Sequence, residues 1–421
     1  MIAASPAARR FAALYVLAMF GAFIAFVPLA PLILPAKIAA IAGIGGGAAQ
    51  VEALSWLMIA GGIMAAVGNI GAGHLSDRIH ARDRHRRRVI AAGLAAVMVA
   101  LALLAAAQSF VALLIAVLAF QLALNLLLSP LVALMVDHID DAAKGMMAGW
   151  LGLALPVGSL AVALLTALPP IGSAAQIGVI AAMTALLTLP LILFWPRTLR
   201  DAAPGVMAAP LSTSGKRPGT GRNFALAWTA RLLIQFAAAA ILPYLYYYVA
   251  HVVRPPGGEA AVGKWVGGLA LTFTIASILS GVMIGSLSDR VRHRQRVLAG
   301  SAFTVAAGMA GLASVTGWPQ VVGAYAVFAA GLAGFLAVDS ALVAQLVSAS
   351  DRRATLLGIM NLTNTLPGVL APSVTLVMVG DVGGGTAGHM ATVLLIAAGG
   401  AMIAALCAAQ IRMTPRRPAA G

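Results

Sequence analysis

Runs of about 20 or more mainly apolar residues, each long enough to carry a helix across a hydrocarbon core of about 30 Å, recur from one end of this sequence to the other. They cover approximately residues 11–35, 51–76, 89–107, 110–136, 145–168 and 175–196, then 223–250, 261–287, 297–315, 320–347, 354–378 and 390–411. In lipid every backbone polar group needs a partner within the protein, and a helix supplies it from its own chain. The alternating polar and apolar pattern of a membrane barrel strand is missing. Only 9% of the 421 residues are charged and 61% are hydrophobic, against roughly 25% charged in a soluble domain. The bilayer must therefore solvate most of the surface, and the sequence predicts an all-α membrane protein with 12 transmembrane helices.

The formal net charge of +15 would suggest nucleic acid in a soluble chain, but its placement indicates otherwise. Basic residues cluster at 78–88, 197–222, 290–296, 352–353 and 412–417, after even-numbered spans, whereas the intervening loops hold Lys37, Arg254 and Lys264. By the positive-inside rule both termini and the central loop face the cytoplasm. The expected location is a bacterial-type cytoplasmic (inner) membrane, with lipid as the surrounding partner and no nucleic acid. The first apolar run follows Arg9 and Arg10 but is long and followed by many others, so it reads as a first helix rather than a leader. The single cysteine, Cys407, reads as a small core residue.

Residues 197–222 contain Pro204, Pro210, Pro218 and a Ser-Thr-Ser-Gly-Lys stretch, which is linker chemistry. The predicted organisation is a bundle over 1–196, a cytoplasmic linker over 197–222 and a second bundle over 223–421. The halves also resemble each other. Gly73-His-Leu-Ser-Asp77-Arg78 recurs as Gly285-Ser-Leu-Ser-Asp289-Arg290, 212 positions later and again at the end of a second span. Gly149 with Leu155-Pro156 is echoed by Gly358 with Leu366-Pro367, at offsets of 209 and 211. An even number of spans per half gives both copies the same orientation and a repeat axis along the membrane normal.

These Gly-x-Leu-Ser-Asp-Arg stretches, each followed by an arginine-rich loop, resemble the signature between helices two and three of the major facilitator superfamily. The stretch from Gly73 to the closing Arg86-Arg87-Arg88 resembles in particular the sugar-cation symporter and SLC45-like branch, although His80 and His85 stand where that pattern carries glycine. The resemblance implies two six-helix pseudo-symmetric bundles in the major facilitator fold, a central site and alternating access. It also implies a gating role for Gly73, Asp77, Arg78, Gly285, Asp289 and Arg290. The two glycines would permit close helix approach, and the two aspartates could meet a helix N-terminus or nearby arginines.

Charges within apolar runs are costly, about 2.5–3.5 kcal/mol each on insertion scales, and two stand out. Arg231 lies nine residues after Arg222 and Asp339 twelve before Asp351, so at about 1.5 Å per residue their depths match. An ion pair between spans seven and ten is expected. It could be a permanent tie, or Asp339 could be a proton or sodium site whose occupation releases Arg231.

Around that depth the C-terminal half offers Gln235, one turn from Arg231, and Asn361 and Asn364 on span eleven, and the counterparts in the N-terminal half are Gln121 and Asn125 on one face of span four. Their amides suit hydroxyl- or amide-bearing solutes, or equally serve as glue between helices. Tyr244, with Tyr246, Tyr247 and Tyr248, reads as a cavity residue or as part of an interfacial aromatic belt. Prolines at 28, 31 and 35, at 243, and at 156 and 367 are expected to bend or break their helices.

The sequence lacks a Gly-x-x-x-x-Gly-Lys-Ser/Thr stretch, a His-Glu-x-x-His pair and a Gly-x-Ser-x-Gly stretch, so a nucleotide-driven pump, a metal centre and an enzyme find no support. No cofactor is expected. The reading is a secondary active transporter of a small solute, with ion-coupled symport of a polar molecule such as a sugar ahead of proton-coupled efflux. A non-transporting receptor or scaffold is the reading from another class.

Overall fold

A computed structural model describes residues 6–83, 86–169, 171–195, 220–290, 293–348, 353–380 and 385–412. Among them the regular structure is helical throughout. The first half contains α1 (Pro6–Phe26), a π-helical turn (Leu29–Ile33), α2 (Leu34–Ala40), α3 (Ala48–Asp83), α4 (Arg86–Ala106), α5 (Phe110–His138), α6 (Asp141–Gly152), α7 (Ala154–Ala167) and α8 (Ser173–Leu193). The second contains α9 (Thr220–Ile241), α10 (Leu245–Tyr248), a π-helical turn (Val249–Val253), α11 (Glu259–Arg290), α12 (Arg294–Ser314), α13 (Trp318–Ser348), α14 (Arg353–Thr365), α15 (Pro367–Gly380) and α16 (Thr386–Ala409).

Eleven segments among the described residues are long and apolar enough to cross a membrane. The twelfth expected span, 354–378, is built from α14 and α15, of 13 and 14 residues, joined at Leu366. The corresponding break in the first half separates α6 from α7 at Leu153. Both breaks have a proline cause. A proline ring crowds the carbonyl four residues earlier and supplies no N–H, so it suits a first turn best, although Pro130, Pro190 and Pro372 stand inside α5, α8 and α15 without breaking them. Pro367 opens α15, and Pro156 sits in the first turn of α7, with Gly152 four residues before it closing α6. The proline-rich ends of spans one and seven break likewise: Pro28 precedes one π-helical turn, and Pro243 lies in the turn between α9 and α10.

α3 continues to Asp83 and α11 to Arg290, past the ends expected at residues 76 and 287. Leu, Arg and Ala are good helix formers, and neither glycine nor proline interrupts 74–83. Arg78 therefore sits on an exposed helical turn, not in a loop.

The chain divides into two compact units, Met1–Ala209 with Glu259–Ala270 and Pro210–Gly258 with Leu271–Gly421. Of the expected linker, residues 197–219 lie outside the described residues, and Thr220–Arg222 begin α9. Helix pairs recur from one half to the other: α1 packs on α8 as α9 does on α16, α4 on α5 as α12 on α13, and α4 on α8 as α12 on α16. Close backbone approach drives several of these contacts, since lipid offers no hydrophobic gain for helix association. A Cβ on Gly93 would lie 2.7 Å from the backbone of Leu127, and one on Gly308 would lie 2.4 Å from Phe328 N. Polar side chains add glue, as where Thr184 Oγ1 donates to Gly21 O at 3.1 Å between α8 and α1.

Lys37, expected in a loop, is 7% exposed in α2, and its ammonium donates to Ala105 O (2.5 Å) and Ala107 O (3.0 Å) at the end of α4. Carbonyls of a last helical turn lack intrahelical partners and carry the negative end of the helix dipole, so a cation there is doubly favoured. Lys37→Met would leave both carbonyls without this donor. We expect it to lower stability by about 1–3 kcal/mol, read as a lower midpoint of thermal unfolding in detergent; an unchanged midpoint would show that the cap contributes nothing. Cys407 is half-buried on α16 and free, more open than a core residue.

Candidate functional site

Arg231 and Asp339 meet. Both stand on uninterrupted stretches of α9 and α13, whose apolar composition leaves the two side chains few other polar partners, and α9 packs against α13. Arg231 Nη1 donates to Asp339 Oδ2 at 2.8 Å, with the acid side chain 2% exposed and the arginine side chain 19%. Asp339 Oδ1 and Arg231 Nε are buried and have no hydrogen-bond partner among the described residues.

The guanidinium extends the pair into a layer of amides. Arg231 Nη2 donates to Asn364 Oδ1 at 3.0 Å, and Gln235 Nε2, one turn along α9, approaches the same oxygen at 3.4 Å. Asn364 Nδ2 then donates to Asn361 Oδ1 at 3.0 Å, the two asparagines lying three apart on α14. Trp228 reinforces the α9 to α14 contact, its indole N–H donating to Ile359 O at 2.9 Å. The break at Leu366 ends α14 just beyond these asparagines. Gln235 is half-buried, and Asn361 and Asn364 are exposed. The acid thus lies behind the arginine, and the arginine behind an accessible amide face. All five residues belong to the second unit.

Gln121 and Asn125 are placed elsewhere, against α3 in the first unit. A Cβ on Gly61 would lie 3.5 Å from Gln121 Nε2 and one on Gly68 3.5 Å from Asn125 Nδ2, while Asn125 is 8% exposed and donates to Gln121 O. That position fits helix-to-helix glue. The aromatic-belt reading of the tyrosines is corrected: Tyr244, Tyr247 and Tyr248 are at most 1% exposed, whereas belt residues sit at the interface with lipid headgroups. Their phenols point into the bundle, where Tyr248 donates to Leu312 O at 2.8 Å. Tyr244 and Tyr248 help line a small apolar cavity of about 10 Å³ with Ala240, Thr375, His389 and Leu394, about the room one water needs.

Of the repeated signature, Gly73 faces Ser129 across α5 at 3.5 Å from an added Cβ, an ordinary contact, and Gly285 has nothing within 4 Å. The close approaches therefore lie at other glycines. The side chains of Asp77, Asp289 and Arg290 lie outside the described residues. Beside the first copy is a contact that sequence reasoning did not anticipate. Arg86, buried at the start of α4, donates through Nε to Asp137 Oδ2 (2.5 Å) and through Nη1 to Ser76 Oγ (2.9 Å), tying α4 to α5 and α3. The signal was present as an acid at the end of span four, on the same side as the arginine run.

No protein-family model matches this chain, and no curated protein matches it in sequence. Solved structures do. A bacterial homolog to the human lysosomal transporter Spinster, in an inward-facing and unoccupied conformation, superposes with a TM-score of 0.68 at 14% identity, covering 98% of this chain and 100% of the other. The nucleoside transporter NupG gives 0.67 at 15% identity, covering 94% and 99%. The bacterial Spinster homolog in an inward-facing and occupied conformation gives 0.62 at 14% identity, covering 96% and 94%. At such identities the likeness shows the fold. This is an all-α membrane protein with the major facilitator fold.

Proposed function

We propose that this chain is a secondary active transporter that moves a small polar solute by alternating access, coupled to an ion. The observation that carries the reading is the Arg231 to Asp339 pair, held among apolar helices with an amide face in front of it. Charges in a spanning helix are expensive, and they concentrate where an ion or a solute passes. The amides of Gln235, Asn361 and Asn364 offer both donors and acceptors to hydroxyl or amide groups. Likeness over nearly the whole chain to a transporter homolog and to a nucleoside transporter supports the same class. A sugar as solute rests on the branch resemblance of the repeated signature. Two bundles over 1–196 and 223–421, an inner-membrane location and cytoplasmic termini complete the reading, drawn from the charge placement.

Coupling through Asp339 gives a direct test. Purified protein in liposomes, first screened by thermal shift against sugars, amino acids, organic acids and lipophilic cations, is expected to accumulate its solute about tenfold per unit of imposed pH gradient if one proton accompanies it. Asp339→Asn is expected to equilibrate the solute without accumulating it. Gradient-driven accumulation that survives in that variant excludes coupling at Asp339, and a protein that moves none of the panel in either form excludes transport.

A further inference from the structure

The pair is internally neutral as it stands, and the two partners are placed unequally. The acid is enclosed, at 2% side-chain exposure, while the guanidinium is 19% exposed and adjoins the accessible amides of Asn361 and Asn364. A solute approaching the exposed amides meets them and Arg231 before it meets Asp339. Among the described residues only one carboxylate oxygen is engaged, because Nη1 bonds Oδ2 and leaves Oδ1 with no partner there.

What could occupy Oδ1 is decided by its surroundings. α13 packs against α9, α12 and α14, and also against α11, where Ser280 Oγ donates to Ala330 O. The ionisable residues on those helices are Arg222 and Arg231 on α9, Arg294 and Arg296 on α12, Arg353 on α14, and Glu259, Lys264, Asp289 and Arg290 on α11. Arg231 is the one hydrogen-bonded to Asp339 among the described residues. A hard cation such as sodium needs several oxygen ligands, and a guanidinium offers only N–H donors and like charge. A proton needs one lone pair, and Oδ1 has it.

Once Oδ1 carries a proton, Asp339 is neutral and Arg231 stands in an apolar bundle without a counter-charge. That state recruits an anion. The planar guanidinium fork matches a carboxylate with two parallel N–H···O bonds, and the amides of Gln235, Asn361 and Asn364 are left to read hydroxyls beside it. We infer that the solute is a small hydroxylated carboxylate, taken up with one proton that resides on Asp339 while the solute carboxylate replaces it on Arg231. The balance is simple. Water on the loading side gives one proton to Asp339 Oδ1, the monoanion binds Arg231, and on the other side the anion leaves, the proton returns to water and the ion pair re-forms. One positive and one negative charge cross together, so no net charge moves. This assignment rests on the transport reading above and puts a hydroxylated acid in place of the neutral sugar.

The test uses the full-length protein in liposomes containing a pH-sensitive dye, with a potassium clamp on voltage and protein-free liposomes as control. The probes are glycerate and gluconate, paired with their neutral counterparts glycerol and glucose. At least one acid is expected to enter together with protons, at a rate that the clamped voltage does not change, while glycerol and glucose stay out. Asp339→Asn, which holds the residue neutral, is expected to keep exchange of labelled for unlabelled acid and to lose pH-driven accumulation. If that variant does not fold, binding to the unmodified protein reports the same linkage: affinity for glycerate or gluconate should rise about tenfold for each unit the pH falls while Asp339 is still ionised, with no pH dependence for the neutral probes. Entry of glycerol or glucose with neither acid moved overturns the anion assignment and leaves the transport reading standing. So does acid entry that follows voltage. If none of the four moves, the inference fails; if no solute of the thermal-shift panel moves either, the transport reading fails with it.

Discussion

Arg231→Met is expected to lower the unfolding free energy by about 3–5 kcal/mol and to abolish solute movement, whereas Arg231→Met combined with Asp339→Leu recovers most of the stability and none of the transport. The single change removes the one partner that an enclosed carboxylate has among the described residues, none of which bonds its second oxygen. An uncompensated buried charge is the costly state, far costlier than exchanging the whole pair for apolar side chains of similar volume. The hydrogen bond from Arg231 to Asn364 is lost as well. Its share is small, since polar contacts between membrane helices average about 0.6 kcal/mol and reach about 1.7, so the charge decides the outcome. Thermal unfolding in detergent and uptake in liposomes, measured on both variants, separate stability from function. A single variant as stable as the parent would mean that the pair is not a buried tie, and a transporting double variant would remove both residues from the mechanism.

Gly308→Ala and Gly300→Ala, two identical substitutions in α12, are expected to shift stability in opposite directions. An alanine in a helix is intrinsically better than glycine by about 0.8–1 kcal/mol, and at Gly300 nothing lies within 4 Å of the new methyl. That variant should be neutral or more stable. At Gly308 the methyl would lie 2.4 Å from Phe328 N and 2.6 Å from Phe328 Cα, both backbone atoms of α13. Neither can rotate away, so α12 and α13 must part. Overpacking of this kind costs about 1–3 kcal/mol, and the separation also loosens the packing of α13 that holds Asp339. Gly308→Val should yield little folded protein by size-exclusion chromatography. Equal melting of the two alanine variants would show that the α12 to α13 contact is slack.

Much of the architecture was legible because membrane solvation imposes coarse, local rules. A run of about 20 apolar residues must be a helix in lipid, so segments such as Phe110–Met135 and Arg294–Ser314 could be read without knowing their neighbours. The breaks before Pro156 and Pro367 were legible from proline chemistry, but the same chemistry leaves Pro130, Pro190 and Pro372 inside continuous helices, where the surrounding packing decides. The pairing of Arg231 with Asp339 was accessible for a related reason, since two lone charges at matching depth have few other ways to be satisfied. The tyrosines show where such reasoning stops. Sequence position puts Tyr244, Tyr247 and Tyr248 near the end of a span, but which way a ring points depends on what packs against that turn. Gly73 and Gly285 make the same case, because identical motif positions meet a neighbour in one half and, among the described residues, none within 4 Å in the other.

Composition and periodicity alone specified a helical membrane protein, a duplicated signature and two charged residues awaiting partners. Tertiary structure decided which glycines touch backbone, that Lys37 caps α4, that Arg86 bridges Ser76 and Asp137, and that Asn364 joins Arg231. The physical reason is one of range. Crossing a bilayer is a property of each segment's own side chains, whereas a cap, a bridge or a close approach exists only between atoms tens or hundreds of residues apart, whose meeting depends on the rotation and register of every helix between them.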